Sequence, residues 1–526
     1  MTSILKYLNR ALLVLLLAAF AACSDNEGGN ESNGNGDDGN TETPADGDTY
    51  GYIKDTNGNS VEGVVVSDGY SCTATDAEGR YALTRNADAG FVFYSLPSAY
   101  KVSVDKTYKL PRFFARLQAG TARYDFTLEA LAAPEKRFDL ICIGDPQINE
   151  ASHAVRFKEE AGREIREYAA SAGVPCYGIT LGDHVNNKWT LFTNMVVALQ
   201  PEQTGVPVFA TIGNHDHEFP TADEKAARAK YESYFGPVDY SFNRGDVHVV
   251  SMDNVIHSCK ASADYEGGFT AAQYAWLKQD LSFVPKDKMV ILCVHIPFRG
   301  GWGTNSAHAD ADKYYDEVLD LLSQYEYAAI MSAHTHSNIN YIHRKNGKEI
   351  FEHVTGTTCG AWWRSTVCTE GTPIGFGLYR IDGNRMEEWA YRSVRHDEQF
   401  QIRLYRASDT FVGGAKYRFK QTGADQIVAN IWNWDPSWTV NVYENDVLSG
   451  QMTRNSDIDA WTVAYHIGLL NNTDSYRKSS DHMFHYTLKN PAAAVRVEAI
   501  DRFGNKYEQT VFTDPDSHPG IYHLDY

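Results

Sequence analysis

Five short polar clusters in the middle of the chain carry residue types that bind metal ions. They are Asp145-Pro146-Gln147, Asp183-His184-Val185-Asn186, Asn214-His215-Asp216, His295 and His334-Thr335-His336. Carboxylates, imidazoles and amide oxygens together suit hard to borderline divalent ions such as Mn, Fe or Zn. Seven ligands drawn from these clusters would exceed the needs of one ion but suffice for two ions that share a carboxylate. Two ions about 3.5–4 Å apart can clamp the attacking and leaving oxygens of a displacement at phosphorus.

Each cluster follows an apolar run that predicts a buried β-strand. The five runs are Phe138–Gly144, Tyr177–Gly182, Val208–Gly213, Met289–Val294 and Ala328–Ala333. Ligands bind at the carboxyl ends of strands in open α/β sheets, so the five clusters should converge on one crevice. The glycines that end the first three runs let the backbone turn tightly there.

Each cluster taken alone also has a purely structural explanation. An aspartate after a strand is more often a helix N-cap than a metal ligand. A single histidine such as His295 is more often a hydrogen-bonded core residue. Five clusters in this order, each at the end of an apolar run, make coincidence a poor explanation.

Strand and helix patterns divide the folded chain into three predicted domains. Short strands separated by turns at 8–12 residue spacing predict a small β-sandwich over residues 49–130. Alternating strands and helices predict an α/β domain over residues 137–395, with capping boxes at Thr221–Glu224 and Thr270–Gln273 opening two helices. Residues 396–526 return to strand patterns and predict a second β domain.

The amino terminus predicts export and lipid anchoring. Residues 1–22 have the basic start and short apolar run of a signal peptide, and the run ends Phe20-Ala21-Ala22-Cys23, which resembles the lipobox of bacterial lipoproteins. Residues 23–48 are rich in Gly, Asn and acids and predict a flexible acidic tether. The prediction is a bacterial cell-envelope protein held on the outer membrane, facing the periplasm or the medium, through lipid on Cys23. Ordinary secretion with a free Cys23 is the alternative.

Charge and hydropathy narrow the range of partners. The net charge is −20, which disfavours binding to duplex nucleic acid because phosphate backbones require a basic face. No apolar run reaches the 18 or more residues of a membrane-spanning helix. The only predicted membrane attachment is therefore the lipid on Cys23.

The order of the five motifs resembles the calcineurin-like metallophosphoesterase superfamily. The motifs are Gly144-Asp145-x-Gln147, Gly182-Asp183-x-x-Asn186, Gly213-Asn214-His215-Asp216, Val294-His295 and Ala333-His334-x-His336. The resemblance spans about 260 residues. It implies an α/β core of two mixed β-sheets flanked by helices. The β regions on either side resemble the accessory N- and C-terminal domains of bacterial secreted members.

The resemblance also implies roles for individual residues. The first metal is assigned to Asp145, Gln147, Asp183 and His336, and the second to the bridging Asp183 with Asn214, His295 and His334. His215 is expected to be the general acid, with Asp216 orienting its imidazole. Gln147 replaces the histidine that is usual in the first motif. An amide oxygen is a harder ligand than imidazole, so we expect two divalent ions with Mn favoured and Fe or Zn as alternatives.

The predicted activity is hydrolysis of phosphate esters. The resemblance implies in-line attack on phosphorus by a hydroxide that bridges the two metals. A phosphomonoesterase is the first prediction, and a phosphodiesterase acting on nucleotides, lipids or polymers is the second. Residues near the motifs that could contact substrate are Arg299, Arg364, His184 and Trp363, with Trp302 and Trp362 as further pocket candidates.

A third hypothesis comes from another class of protein. In it the two β domains bind glycan at the cell surface, and the central domain is a degenerate enzyme. The aromatic stretch Trp432–Trp438 could then stack on sugar rings. Absence of bindable Mn, Fe or Zn in the purified protein would favour this hypothesis.

Overall fold

The computed structural model describes residues 47–262, 264–299, 313–408, 425–470, 472 and 478–511. The predicted signal peptide, Cys23, nearly all of the tether, Trp302 and parts of the predicted C-terminal β domain lie outside these residues. Lipid anchoring and localisation therefore stay predictions. Within the described ranges, no helix is both long and apolar enough to cross a membrane.

The N-terminal region contains two small β-sheets, as the turn spacing predicts. Its strands are β1 (Thr49–Asp55), β2 (Val65–Ser67), β3 (Cys72–Ala74), β4 (Arg80–Leu83), β5 (Phe91–Tyr94), β6 (Phe114–Arg116) and β7 (Phe126–Leu128). One sheet has the order β4-β1-β7 and the other β3-β2-β5-β6. All four residues of β5 are buried, so this strand forms the centre of the small core.

The central region contains two larger mixed sheets, which confirms the predicted α/β core. Its strands are β8 (Arg137–Ile143), β9 (Cys176–Leu181), β10 (Val208–Thr211), β11 (Tyr240–Arg244), β12 (Val247–Ser251), β13 (Val255–His257), β14 (Tyr265–Gly267), β15 (Met289–Cys293), β16 (Tyr327–Ser332), β17 (Ile339–Lys345), β18 (Lys348–Val354), β19 (Gly375–Asp382) and β20 (Arg385–Ser393). The first sheet has the order β10-β9-β8-β19-β20 and the second β11-β12-β15-β16-β18-β17, while β13 and β14 form a separate hairpin.

Parallel pairing brings the ends of the ligand-bearing strands together. In the first sheet β8, β9 and β10 run parallel, and β19 pairs antiparallel to β8. In the second sheet β12, β15, β16 and β18 run parallel. These central strands are almost wholly buried because both of their faces are covered.

Seven short helices accompany the two central sheets. They are α1 (Ala151–Phe157), α2 (Arg163–Ser171), α3 (Phe192–Ala198), α4 (Pro201–Thr204), α5 (Glu224–Phe235), α6 (Ala271–Ser282) and α7 (Tyr315–Leu322), counted over the described part of the chain. The capping box at Thr270 and Gln273 is confirmed at the start of α6. The box predicted at Thr221 is wrong: Asp223 is the N-cap of α5 and accepts a hydrogen bond from the Ala226 amide.

The C-terminal region contains two four-stranded antiparallel sheets, which confirms the predicted β domain. Its strands are β21 (Arg403–Arg406), β22 (Gln426–Asn430), β23 (Thr439–Glu444), β24 (Val447–Gln451), β25 (Thr453–Ile458), β26 (Ser479–Thr487), β27 (Val495–Ile500) and β28 (Lys506–Thr510), and one short helix is α8 (Ala460–Val463). The sheet orders are β21-β22-β26-β25 and β24-β23-β27-β28.

The aromatic stretch of this domain mostly serves its core. Trp432 is fully buried and Trp438 nearly so, which leaves neither indole face available to a sugar ring. Trp434 is half-buried at the boundary with the central domain. The glycan-stacking surface proposed for this stretch is therefore not formed by Trp432 or Trp438.

Candidate metal centre

The five polar clusters meet where the central strands end. Asp145 follows β8, Asp183 follows β9, Asn214 follows β10, His295 follows β15 and His334 follows β16. All seven residues predicted as ligands are buried. The crevice predicted from the strand pattern therefore exists and contains all seven side chains.

Two groups of three side chains have the spacing needed to hold a metal ion. In one group the ligand atoms of Asp183, His295 and His334 lie within 4.8 Å of one another, and in the other those of Asp145, Asp183 and His336 do. Asp183 belongs to both groups. This arrangement places one carboxylate between two candidate ion positions.

The two amide side chains border the same groups. The Asn214 Oδ1 atom lies 2.9 Å from His295 Nε2. The Gln147 Nε2 atom lies 3.2 Å from Asp183 Oδ2. Asn214 thus adjoins the group to which the motif resemblance assigns it, and Gln147 adjoins Asp183, which both groups share. The metal-binding roles themselves stay predictions.

The backbone of the centre adopts strained conformations at the residues that carry its ligands. Asp145, Gln147, Asp183, His334 and His336 all have φ between 36° and 66°. Left-handed φ values are uncommon for residues with a Cβ atom and cost about 1–3 kcal/mol each. Five such residues in one centre indicate that the fold holds these side chains in a fixed arrangement at the expense of backbone stability.

Two glycines make this close approach of the loops possible. Gly182 has a φ of 95°, and a Cβ atom there would lie 2.4 Å from His295 Nδ1. A Cβ atom on Gly213 would lie 2.4 Å from Asp183 Oδ1. Neither position can accept a side chain without displacing a candidate ligand.

Hydrogen bonds outside the two groups fix the orientation of His295. Its Nδ1–H donates to the Leu181 carbonyl oxygen at 2.7 Å, which leaves Nε2 facing the centre. The Asn254 Oδ1 atom accepts hydrogen bonds from the backbone N–H groups of His295 and Ile296. Such second partners set the tautomer and direction of metal-binding histidines.

Several buried polar atoms in the centre lack any hydrogen-bond partner among the described residues. They are Asp145 Oδ1, Gln147 Oε1 and His336 Nδ1. Buried polar atoms without partners are rare and costly, so a group that binds oxygen and nitrogen donors is expected at this place. The donor set of carboxylate, amide and imidazole atoms fits divalent ions of the Mn, Fe and Zn type.

Burial and neighbouring charges shift the pKa values of the aspartates and histidines in the centre. Burial raises the pKa of Asp145 well above its ordinary value and lowers that of His336 well below. Burial also acts on Asp183 and His295, but their mutual attraction prevails. It holds the pKa of Asp183 below its usual range and raises that of His295 to about 9.

His215 stands at the edge of the centre with part of its ring exposed. Its backbone N–H donates to Asp183 Oδ1 at 2.8 Å, and its Nε2 lies 4.0 Å from Asp183 Oδ2. The ring Nδ1 pairs with Asn187 Oδ1 at 2.8 Å. The Asn187 amide nitrogen donates to Ser262 Oγ, which fixes the amide orientation.

The orienting role predicted for Asp216 is wrong. Its carboxylate accepts hydrogen bonds from the backbone N–H groups of His184, Val185 and Gly213 and pairs with the His184 ring at 2.9 Å. Asn214–Asp216 form one 3-10 turn, in which successive side chains point about 120° apart. Asp216 therefore braces the loop, and Asn187 contacts the His215 ring.

Two of the predicted substrate contacts are also contradicted. His184 is fully buried, bonded to Thr180 and Asp216, and cannot touch a substrate. The Trp363 indole is nearly buried, donates to the Pro146 carbonyl oxygen and stacks against His153. Both side chains support the loops that carry the ligands.

Of the remaining predicted substrate contacts, Arg299 and Arg364 are exposed, and Trp362 borders the centre. Arg364 is exposed, and Arg299 places its guanidinium 5.5 Å from the Tyr341 ring centroid. The Trp362 ring lies 4.9 Å from the His336 ring, so it is the tryptophan of the pair that borders the centre.

Sequence reasoning missed two side chains that face the centre. The Tyr265 hydroxyl lies 3.3 Å from His334 Nε2. The Lys478 Nζ atom, from the C-terminal domain, lies 5.7 Å from the Trp362 ring centroid, and burial lowers its pKa to about 8. Neither residue belongs to a motif, and only the fold brings them to this place.

Comparison with known protein families agrees with this geometry. Residues 125–338 match the model of the calcineurin-like phosphoesterase domain. Residues 48–131 match the model of the N-terminal part of calcineurin-like phosphoesterases, and residues 352–507 match the model of the C-terminal part. The chain belongs to the calcineurin-like phosphoesterase family. The resemblance inferred from the five motifs is confirmed, and this family consists of metal-dependent phosphoester hydrolases.

Curated relatives of this calcineurin-like phosphoesterase include plant purple acid phosphatases. Purple acid phosphatase 23 of Arabidopsis thaliana is 26% identical over 181 residues, which are 31% of this chain and 36% of the relative. Purple acid phosphatase 18 of the same plant is 25% identical over 182 residues, or 32% of this chain and 38% of the relative. The chain thus spans little more than a third of the length of these relatives.

Solved structures also resemble parts of this phosphoesterase. A purple acid phosphatase from yellow lupin aligns with a TM-score of 0.35 at 14% identity, covering 50% of this chain and 53% of the other. A 5'-nucleotidase from Candida albicans aligns with a TM-score of 0.31 at 13% identity, covering 50% and 52%.

Proposed function

We propose that this chain is a phosphomonoesterase that works with two divalent metal ions. The observation that carries the proposal is the pair of ligand groups that share Asp183. The similarity to plant purple acid phosphatases over 181 and 182 residues supports phosphoester hydrolysis. The function proposed here adds the dinuclear centre and the preference for monoesters.

The chain's own residues divide into those that hold ions and those that act on the substrate. Asp145, Gln147, Asp183 and His336 would hold one ion, and Asp183, Asn214, His295 and His334 the other. Ions bound there would supply Lewis acidity, neutralising charge on the phosphoryl group and lowering the pKa of a water molecule.

His215 is proposed to donate the proton that the leaving group needs. The Asn187 amide oxygen accepts from Nδ1–H, so a protonated ring presents its Nε2–H towards the edge of the centre. An alkoxide leaves poorly without a proton, whereas a nitrophenolate leaves readily. The Tyr265 hydroxyl lies close to His334, and we propose that it donates a hydrogen bond to a phosphoryl oxygen.

We propose Mn as the preferred metal. Gln147 offers a neutral amide oxygen where imidazole is usual, and oxygen ligands favour Mn over Zn. Its Oε1 atom is buried without a hydrogen-bond partner among the described residues, as expected for an atom that binds a cation.

The test compares p-nitrophenyl phosphate with bis(p-nitrophenyl) phosphate. The full chain is stripped of metal and refilled with Mn or with Zn, and turnover is measured alongside metal content. We expect faster turnover of the monoester and higher activity with Mn. Asp183→Ala should abolish activity. Asp280→Asn changes a buried carboxylate that bonds His248 and Ser241, and it should leave kcat unchanged.

Each other outcome contradicts a stated part of the proposal. Faster turnover of the diester contradicts the monoester preference and supports the phosphodiesterase alternative. Activity retained in Asp183→Ala contradicts the shared centre. A protein that binds neither Mn, Fe nor Zn supports the glycan-binding hypothesis.

We also propose that residues 1–22 are removed and that Cys23 carries lipid, on the strength of the motif at Phe20–Cys23. Labelling of producing cells with a fatty acid analogue should mark the protein. Cys23→Ala should remove the label. A soluble, unlabelled wild-type protein would contradict lipid anchoring.

A further inference from the structure

A cavity of about 270 Å³ lies between the edge strand β17 and the C-terminal domain. We call it the arginine cavity, because Arg299, Arg344 and Arg454 line it. Asp481 is the one carboxylate among its lining residues in the described part of the chain. A cavity with this excess of positive charge is unusual in a chain whose net charge is −20.

Two of the arginines are held in place without an acidic partner. The Arg299 guanidinium lies over the Tyr341 ring at 5.5 Å, and the Arg454 guanidinium lies over the Trp434 ring at 4.5 Å. Arg454 donates one hydrogen bond to the Asp481 carbonyl oxygen. Among the described residues, no carboxylate forms an ion pair with Arg299 or Arg454. Arg344, by contrast, pairs with Glu349 at 2.8 Å.

Stacking on an aromatic face orients a guanidinium but does not use its N–H groups. Those groups form a planar fork that matches the oxygens of phosphate, sulfate or carboxylate. Arg299 and Arg454 come from different domains and line the same cavity. The cavity therefore has the chemistry of a site for an oxyanion.

The walls of the cavity are fixed by hydrogen bonds between the two domains. The Asn338 side-chain amide donates to the Trp432 carbonyl oxygen at 2.8 Å. The Asn340 side-chain amide donates to the carbonyl oxygens of Asn433 and Trp434. The segment that carries Trp434 is thus bound to β17, so the cavity is formed before a ligand arrives.

Two residues that line the cavity are close in sequence to candidate metal ligands. Asn338, which lines it, is two residues from His336, so their Cα atoms are at most about 8 Å apart. Arg299 is four residues from His295, which limits that Cα separation to about 15 Å. These limits place residues of the cavity within the length of one small molecule of the candidate metal ligands.

We propose that the arginine cavity is a second anion site, which binds an oxyanion of the substrate remote from the phosphoester that is cleaved. This inference rests on the proposed phosphoesterase function and adds a substrate class. The preferred substrates carry a second phosphate, sulfate or carboxylate group, remote from the scissile phosphorus. Arg299 and Arg454 are specificity-determining residues in this assignment.

The test uses two substrates that differ only in a second anionic group: hexyl phosphate and hexane-1,6-diol bisphosphate. Both are given to the Mn-loaded full chain and to the double variant Arg299→Gln/Arg454→Gln. We expect the wild type to have a lower KM for the bisphosphate. The double variant should raise that KM by about tenfold or more, since hydrogen bonds to charged groups are lost. Any rise in its KM for hexyl phosphate should be much smaller than the rise for the bisphosphate.

The matched control is Arg123→Gln/Arg163→Gln, which removes the same charge from exposed arginines outside the cavity. It should leave both KM values unchanged. Equal KM values for the two substrates in the wild type, or an equal rise for both in the double variant, would overturn the proposal. Inorganic sulfate that alters hexyl phosphate turnover only in the wild type, with no preference for the bisphosphate, would instead show a free-anion site and overturn the substrate role.

Binding separates this proposal from the proposed function. Hexane-1,6-diol bisphosphate is titrated calorimetrically into the wild type and the double variant, whether or not either turns over substrate. A loss of affinity of about tenfold in the double variant, with an unchanged melting temperature, supports the cavity even if hydrolysis fails. Equal affinities overturn the second anion site while leaving the metal centre untouched.

Discussion

His215 and Asn187 are the residues on which leaving-group chemistry depends. His215→Ala should lower kcat for hexyl phosphate by about 10²–10⁴-fold, because an alkoxide needs a proton. The loss for p-nitrophenyl phosphate should be much smaller, since its leaving group is stable as an anion. Steady-state kinetics with both substrates checks this. Equal losses would remove His215 from the role of general acid.

Asn187 and Asp216 should have separable effects. Asn187→Ala removes the acceptor of His215 Nδ1 and should lower kcat for hexyl phosphate with little change in melting temperature. Asp216→Asn disturbs a buried acceptor of several loop hydrogen bonds and should lower the melting temperature by several degrees. Thermal melts beside kinetics distinguish the two. A stable Asp216→Asn protein with a lost leaving-group effect would restore the role first expected from sequence.

Residue types and motif order predicted the seven candidate ligands but not the contacts between side chains. Asp145, Asp183 and His295 each follow a strand whose apolar run is visible in the sequence. Asp216 adjoins His215 in the chain, yet the 3-10 turn points their side chains apart. Asn187 contacts His215 across 28 residues of sequence, and no local pattern signals such a pair.

At the level of elements, the loop after β9 depends on a residue without a side chain. Gly182→Ala combines a φ of 95° with a Cβ atom 2.4 Å from His295 Nδ1. We expect reduced metal content as well as a lower melting temperature. Gly173→Ala is the matched control, because its φ is 71° but nothing lies within 4 Å of the added Cβ. The control should show only the backbone cost of about 1–2 kcal/mol. Equal metal content in both variants would show that the Gly182 loop tolerates displacement.

An acidic group between elements should make stability depend on pH. Asp239 lies between α5 and β11 beside a cavity of about 500 Å³, whose lining includes Glu224, Arg228, Glu232 and Asp253. Burial, then repulsion by Asp253, raises the pKa of Asp239 to about 7 against the partial attraction of Arg228. The unfolded value is 3.8, so the folded chain holds this proton over a pH range in which the unfolded chain has lost it. Stability from this group is therefore full below about pH 4 and declines as the pH rises to 7.

Asp239→Asn should remove this dependence. The melting temperature of the variant relative to the wild type should rise between pH 4 and pH 7 and stay constant above that. Melts of both proteins at several pH values measure it. A constant difference across the range would mean that Asp239 titrates normally.

Strands could be predicted from the sequence where they are apolar and are separated by turns. The five strands that carry ligands were predicted within one or two residues. Strands β24 and β25 were not, because they are largely exposed and carry little apolar signal. Helix α8 was also missed, since four residues are too few to show periodicity.

Buried polar contacts join the C-terminal domain to the central domain of the molecule. The Arg403 guanidinium is buried, pairs with Asp459 at 2.9 Å and donates to the Gly371 carbonyl oxygen. Deleting residues 403–526 also removes the carbonyl groups that bind Asn338 and Asn340. We expect the shortened chain to lose cooperative unfolding in a thermal melt followed by circular dichroism. A shortened chain with the melting temperature of the full protein would contradict this dependence.

During synthesis of the chain, β8 is made long before its neighbour β19. About 230 residues separate the two strands, and a ribosome adding 5–20 residues per second needs about 10–50 s to make them. During that interval β8, which ends two residues before the candidate ligand Asp145, has an unpaired edge that can pair with strands of other chains. The hairpin β19–β20 closes that edge only when three quarters of the chain exist. The centre's first strand therefore lacks its neighbour on that side for nearly half of the chain's synthesis.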